Sequence, residues 1–253
     1  MRDSSFPVPG VVSFPKAVQS ANFSEMILLP EQLPEKPTIR RRFILLSSLG
    51  VFGAISFVPS IIASAVPRPA MLQLGLFVLA VSGICIVSSW FGLRLADAAH
   101  LPMPYLRRLD LPSIPTGRSG VLPAVAVGCL VAAGAIYVLH SFHLPNLAGP
   151  LWSRIASVFF AAGSLELVVH LLIMSAVVRL ARGRVWLGIL VSAIFFVAFH
   201  VQGLQGQSAS LIAASALLNG VFGLALGFFY ARYGFEYALL SHAVAHILAV
   251  SLG

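Results

Sequence analysis

The sequence predicts an all-α, polytopic integral membrane protein with about seven transmembrane helices. Three observations carry this prediction. Only 9% of the 253 residues are charged, against about 25% in soluble domains. Mean hydropathy is +0.95. Apolar runs recur along the chain, at roughly 43–66, 70–94, 120–140, 152–178, 185–201, 209–230 and 236–252. A helix rises 1.5 Å per residue, so about 20 such residues cross a hydrocarbon core of about 30 Å.

Residues 1–42 are mixed, polar and proline-bearing. They lack a basic start running directly into an apolar core, so they read as a polar N-terminal segment rather than a cleaved signal peptide. Arg40, Arg41 and Arg42 then abut the first span. Spans one to three, within 43–140, carry few polar groups and read as structural. Four prolines in the loop LADAAHLPMPYLRRLDLPSIPTGRSG forbid a continuous helix between spans two and three. Cys85 and Cys129 fall in those two spans. Two thiols give neither a disulfide framework nor a zinc spacing, and they read as small apolar residues. Spans four to seven, within 151–253, hold nearly all the polar groups at membrane depth.

The formal net charge of +8 invites a nucleic-acid reading, which its distribution opposes. Arg94, Arg107, Arg108 and Arg118 lie between spans two and three, Arg179, Arg182 and Arg184 between four and five, and Arg232 between six and seven. With the triple arginine, all fall on one side if the spans alternate; the other side offers only Arg68 and Arg154. That is the positive-inside pattern. It implies a cytoplasmic N-terminus, location in the cell inner membrane, lipid as a partner and no nucleic acid.

Glu166 is the one acidic residue deep in a span. An ionised side chain there costs about 2.5–3.5 kcal/mol on insertion scales, so such residues usually face a cavity and act. A neutral glutamic acid joining two helices by a hydrogen bond is the structural alternative. His100, His140 and His143 sit in loops or at span ends, whereas His170, His200, His242 and His246 lie in spans four, five and seven. Glu166 with His170, Phe196 with His200, and His242 with His246 are each four residues apart and share a helix face. The spans as drawn put Glu166 at mid-depth, His200 toward the outer face and His242 toward the inner. Span six carries Gly220, Gly223 and Gly227, which permit close helix packing.

At these residues the chain resembles the CAAX-protease and bacteriocin-processing (CPBP) family of intramembrane endopeptidases, which includes the type II CAAX prenyl proteases. That family's pattern is a Glu-Glu-x-x-x-Arg helix, a Phe-x-x-x-His helix and a His-x-x-x-Asn helix. Here these read Leu165-Glu166 through His170, Phe196 through His200, and His242 through His246. The stretch GVFGLALGFFYARYGFEYALLSHAVAH, with its Tyr-x-Arg-x-Gly turn, carries the resemblance further. Two departures stand out. With Glu166 as the second glutamate, Leu165 occupies the first one's place, whereas a one-residue slip makes Glu166 the first and leaves Leu167 and Leu171 in the other two. His246 holds the place of the final asparagine.

The resemblance implies a four-helix protease half and a peptide or protein substrate. Its expected chemistry has Glu166 take a proton from a water held between it and His200. His242 and His246 then donate to the oxyanion, with His170 and Phe196 orienting. No metal is required in this scheme; zinc is possible, on Glu166, His200, His242 and His246. The His-Glu-x-x-His zinc signature is absent from the sequence. Gly117-Arg118-Ser119-Gly120 matches the rhomboid Gly-x-Ser-Gly but stands in an arginine-bearing loop. An inactive binding or immunity protein and a proton-coupled transporter are the competing functions.

Overall fold

The computed structural model describes residues 39–64, 71–109, 119–143 and 150–252. The polar segment up to residue 38, Arg68 and Arg118 lie outside the described residues. Among those described there is no strand, and seven helical spans are long and apolar enough to cross a membrane. The first three spans are α1 (Arg40–Ser64), α2 (Met71–Ala98) and α4 (Val121–Ser141), with the short α3 (Pro104–Arg108) between the latter two. Pro104 opens α3 at a position where a missing N–H costs nothing.

The fourth span, Leu151–Leu180, is composite. Helix α5 (Leu151–Val158) and helix α6 (Ser175–Leu180) flank two π-helical segments, Phe159–Ser164 and Leu167–Met174. Helices α7 (Val185–Val201), α8 (Ala209–Arg232) and α9 (Phe235–Leu252) complete the bundle. Span four is its core: 61% of its most apolar window is buried, against at most 39% for any other span. Helices α1 and α2 pack together and against the π-helical segments, α7 packs on α8, and α4 on α9. Glycines allow the closest approaches. A Cβ on Gly53 would come within 2.7 Å of the Phe159 carbonyl oxygen, and one on Gly92 within 3.0 Å of the Leu171 backbone.

One end of the bundle is tied by polar contacts. Arg42 makes a bidentate pair with Asp97 at 3.0 and 3.1 Å, and Arg107 reaches the same carboxylate at 3.2 Å. Arg41 donates to the Leu109 carbonyl at 3.1 Å. The Leu106 N–H donates to Glu236 at the start of α9, at 2.7 Å. The start of α1, the end of α2, α3 and the start of α9 therefore meet, as alternating spans require.

Candidate active site

Glu166 lies between the two π-helical segments, and His170 follows within the second. An i→i+5 turn is wider than an α turn and is frequent where a helix carries function. Both residues are fully buried, as is His242 on α9. The Glu166 carboxylate is gripped from two sides. His242 Nδ1 donates to Oε1 at 2.7 Å. His170 Nδ1 stands 2.7 Å from Oε2, an ion-pair distance whose angle falls outside hydrogen-bond geometry.

Two neighbouring histidines complete a cluster. His200 Nδ1 lies 2.8 Å from the Phe196 carbonyl oxygen. A carbonyl only accepts, so Nδ1 carries the proton and, in the neutral ring, Nε2 carries the lone pair. The same logic applied to the carboxylate makes Nε2 of His242 its lone-pair nitrogen. That atom is buried and has no hydrogen-bond partner among the described residues. Ring centroids lie 6.2 Å apart for His200 and His242, 6.4 Å for His200 and His246, and 4.8 Å for His242 and His246. One donor atom from each of the three lies within 4.8 Å of the others. The Phe196 ring is the spacer, 4.3 Å from the His200 ring and 5.1 Å from that of His242, with Phe222 closing the far side at 5.6 Å from His242.

His200 and His246 line a cavity of about 260 Å³ between α4, α7, α8 and α9. Its walls are mostly aliphatic, among them Val131, Leu211 and Leu218. Span three, expected among the structural helices, supplies one wall, because α4 packs along α9.

Every site residue expected from sequence is brought into one neighbourhood, with two differences. The spans as drawn separate His200 from His242 in depth. Counted from the starts of α7 and α9, the two differ by eight residues, or about 12 Å of rise. The rings nonetheless stand 6.2 Å apart, so the two helices are offset along the bundle. Helix α9 starts beside the segment leading into α3, where the N–H of the fully buried Phe235 bonds to the Pro102 carbonyl. The second difference is the direction of Glu166. It was expected to share a water with His200, and as a zinc ligand it would join the imidazoles. Instead it stands behind His242, and the group of donors close enough to share an ion is His200, His242 and His246.

Asn219 and Ser215 were not anticipated. Both line the cavity, and the Asn219 amide donates to the Ser215 carbonyl at 2.9 Å and to its hydroxyl at 3.2 Å. Asn219 is the sole asparagine inside an apolar run, a signal of the same kind as Glu166.

No curated protein and no solved structure matches the chain. Residues 145–248 match the family model described as type II CAAX prenyl endopeptidase Rce1-like. That segment holds Glu166 and all four membrane-depth histidines, and over it the chain is similar to this family.

Proposed function

We propose that this protein is an intramembrane endopeptidase that hydrolyses a peptide bond of a membrane-associated peptide or protein. The observation that carries the reading is the buried Glu166–His242 pair at 2.7 Å, placed directly behind imidazoles that line an apolar cavity. A base held by a buried acid is how hydrolases fix a tautomer and aim a lone pair. Water entering the cluster meets the Nε2 lone pairs of His200 and His242 and becomes a better nucleophile toward the carbonyl carbon. The tetrahedral oxyanion forms beside His246, whose ring stands where the resembled pattern has asparagine; such donors are often worth about 3 kcal/mol. Collapse of that intermediate breaks the C–N bond, and the proton removed from water goes to the departing amine. Glu166 keeps the His242 tautomer that this sequence needs.

The test compares processed peptides in membranes carrying wild type and Glu166→Gln. Processing should fall by roughly 100-fold or more, the scale seen when a tautomer-fixing acid is neutralised. Equal processing by the two proteins sinks the proposal. Identical peptide profiles with wild type and with an empty membrane would favour a binding protein without catalysis, the reading that Leu165 in the first acid's place supports.

A further inference from the structure

We infer that the Ser215 hydroxyl and the Asn219 amide oxygen hold the main chain of one residue of an extended peptide in the cavity between α4, α7, α8 and α9. This rests on the endopeptidase reading and supplies it with a substrate-positioning pair that reads backbone rather than side chains. The first observation is where the pair stands. Helix α8 lays a stripe along the cavity, Leu211, Ser215, Leu218, Asn219 and Phe222, at the three- and four-residue spacing of one helix face. Ser215 and Asn219 are one turn apart and half-buried. In a mostly aliphatic wall, a hydroxyl and an amide cost free energy wherever they go unbonded.

The second observation is which atoms are left over. The Ser215 carbonyl oxygen only accepts, so the Asn219 atom 2.9 Å from it is the amide nitrogen. The same nitrogen donates to Ser215 Oγ at 3.2 Å. These bonds hold the amide in place, and Oδ1 accepts from no described residue. Serines elsewhere in the bundle turn their proton onto a carbonyl of their own helix, Ser157 to Arg154 at 2.6 Å and Ser192 to Ile189 at 3.0 Å. Ser215 makes no such bond among the described residues; its hydroxyl accepts from Asn219 and keeps a proton to give.

The leftovers are one acceptor and one donor, side by side because the Asn219 amide is drawn back along α8 to Ser215. An extended chain shows the N–H and C=O of one residue on the same edge, the two groups that a residue exchanges with its opposite in an antiparallel ladder. Asn219 Oδ1 takes that N–H, and the Ser215 hydroxyl gives to that C=O. The acceptor is aimed before the peptide arrives, which lowers the ordering cost of binding. Phe222, on the same face of α8, has its ring 5.6 Å from that of His242, so the held residue lies beside the histidines. Asn219 does not replace the asparagine of the resembled pattern at the oxyanion, since its amide nitrogen is already engaged by Ser215.

The experiment uses the full chain in detergent and two labelled probes: a short leucine–alanine peptide, and its ester analogue with every backbone N–H replaced by oxygen. Binding is read by fluorescence anisotropy before products accumulate, and cleavage of the peptide by mass spectrometry. Wild type should hold the peptide more tightly than the ester. In Asn219→Leu, which keeps the side chain's size, the ester-to-peptide ratio of Kd should fall by about 3–10-fold, the scale of one hydrogen bond. Ser215→Ala, a milder change, should weaken both probes by about 3–10-fold and leave the ratio alone, because both carry the carbonyl it serves. A merely structural Asn219 would move both affinities together in Asn219→Leu, and an unchanged ratio there overturns the inference. Absence of saturable peptide binding by well-folded wild type overturns it too, since the pair reads only a main chain that any sequence carries. Cleavage of the peptide with an unchanged ratio leaves the protease reading standing without this pair. The ratio effect without any cleavage keeps the pair as a peptide-holding site and sinks the protease reading.

Discussion

A buried carboxylate depends on its neighbours, and Glu166 has an imidazole beside each oxygen. Both oxygens stand 2.7 Å from an imidazole Nδ1, one from its own helix and one from α9. Removing His242 leaves the buried Oε1 without its hydrogen bond, at about 1–3 kcal/mol, and removing His170 takes away the imidazole that faces Oε2 at ion-pair distance. His170→Ala should therefore lower the thermal unfolding midpoint in detergent well beyond the change in His140→Ala, whose side chain is exposed. Equal midpoints for the two variants would mean that the His170 contact contributes nothing. The same accounting explains what was legible at this scale. Glu166, His170, His200, His242 and His246 announce themselves because polar side chains do not belong in lipid without a reason. The Phe196 carbonyl could not be found that way, since its hydrogen bond to His200 uses a backbone atom that every residue carries. Nor could the aim of Glu166, which depends on where α9 places His242.

At the scale of elements, span limits read from apolar runs fall close to those observed: 185–201 was expected for α7 and Val185–Val201 is found. Helix α2 runs on to Ala98 where 94 was expected, because its final turn is held by the Asp97 contacts with Arg42 and Arg107. The π-helical segments were not legible. An i→i+5 pattern has no hydrophobic period of its own, and here it occurs where Gly53 and Gly92 let α1 and α2 press on the fourth span. Spacing between elements is a matter of such small residues. A Cβ on Gly223 would sit 3.0 Å from the Ala193 Cα and 3.2 Å from the Phe196 Cβ, so neither neighbour can yield cheaply. Gly223→Val should push α8 from α7 and displace Phe196, the residue whose ring spaces the histidines and whose carbonyl fixes His200. Overpacking of this kind costs about 1–3 kcal/mol, and turnover should fall with it. At Gly220 a Cβ meets only Val197 Cγ2 at 3.5 Å, an ordinary contact. Gly220→Ala should be nearly silent, and equal loss of proteolysis in the two variants would remove the spacer role assigned to Phe196.

For the whole molecule, the arginines and the bundle's tied end point to one orientation. Arg41, Arg42 and Arg107 engage partners on the loop side of α1 and α2, and Arg94 lies 4.1 Å over the Trp90 ring near the same end. Arg179, Arg182, Arg184 and Arg232 border the connections that alternation puts on that side. Cationic loops resist translocation, and on that ground we propose this end as the cytoplasmic face, with the C-terminus outside. In that proposed orientation His143, exposed beyond α4, falls on the outer side, and Arg182, exposed between α6 and α7, on the inner. In a background with Cys85→Ser and Cys129→Ser, His143→Cys should react with a membrane-impermeant maleimide on intact cells. Arg182→Cys should react only after the membrane is opened. That proposed orientation also sets where chemistry would occur. Leu139, near the end of α4, and Leu204, just beyond α7, both line the cavity, so it lies toward the outer half of the bundle. A peptide cut there should be cleaved on the outer side of its own membrane segment. The reverse labelling pattern would invert the bundle and move that cut to the cytoplasmic half, without altering the distances among the histidines.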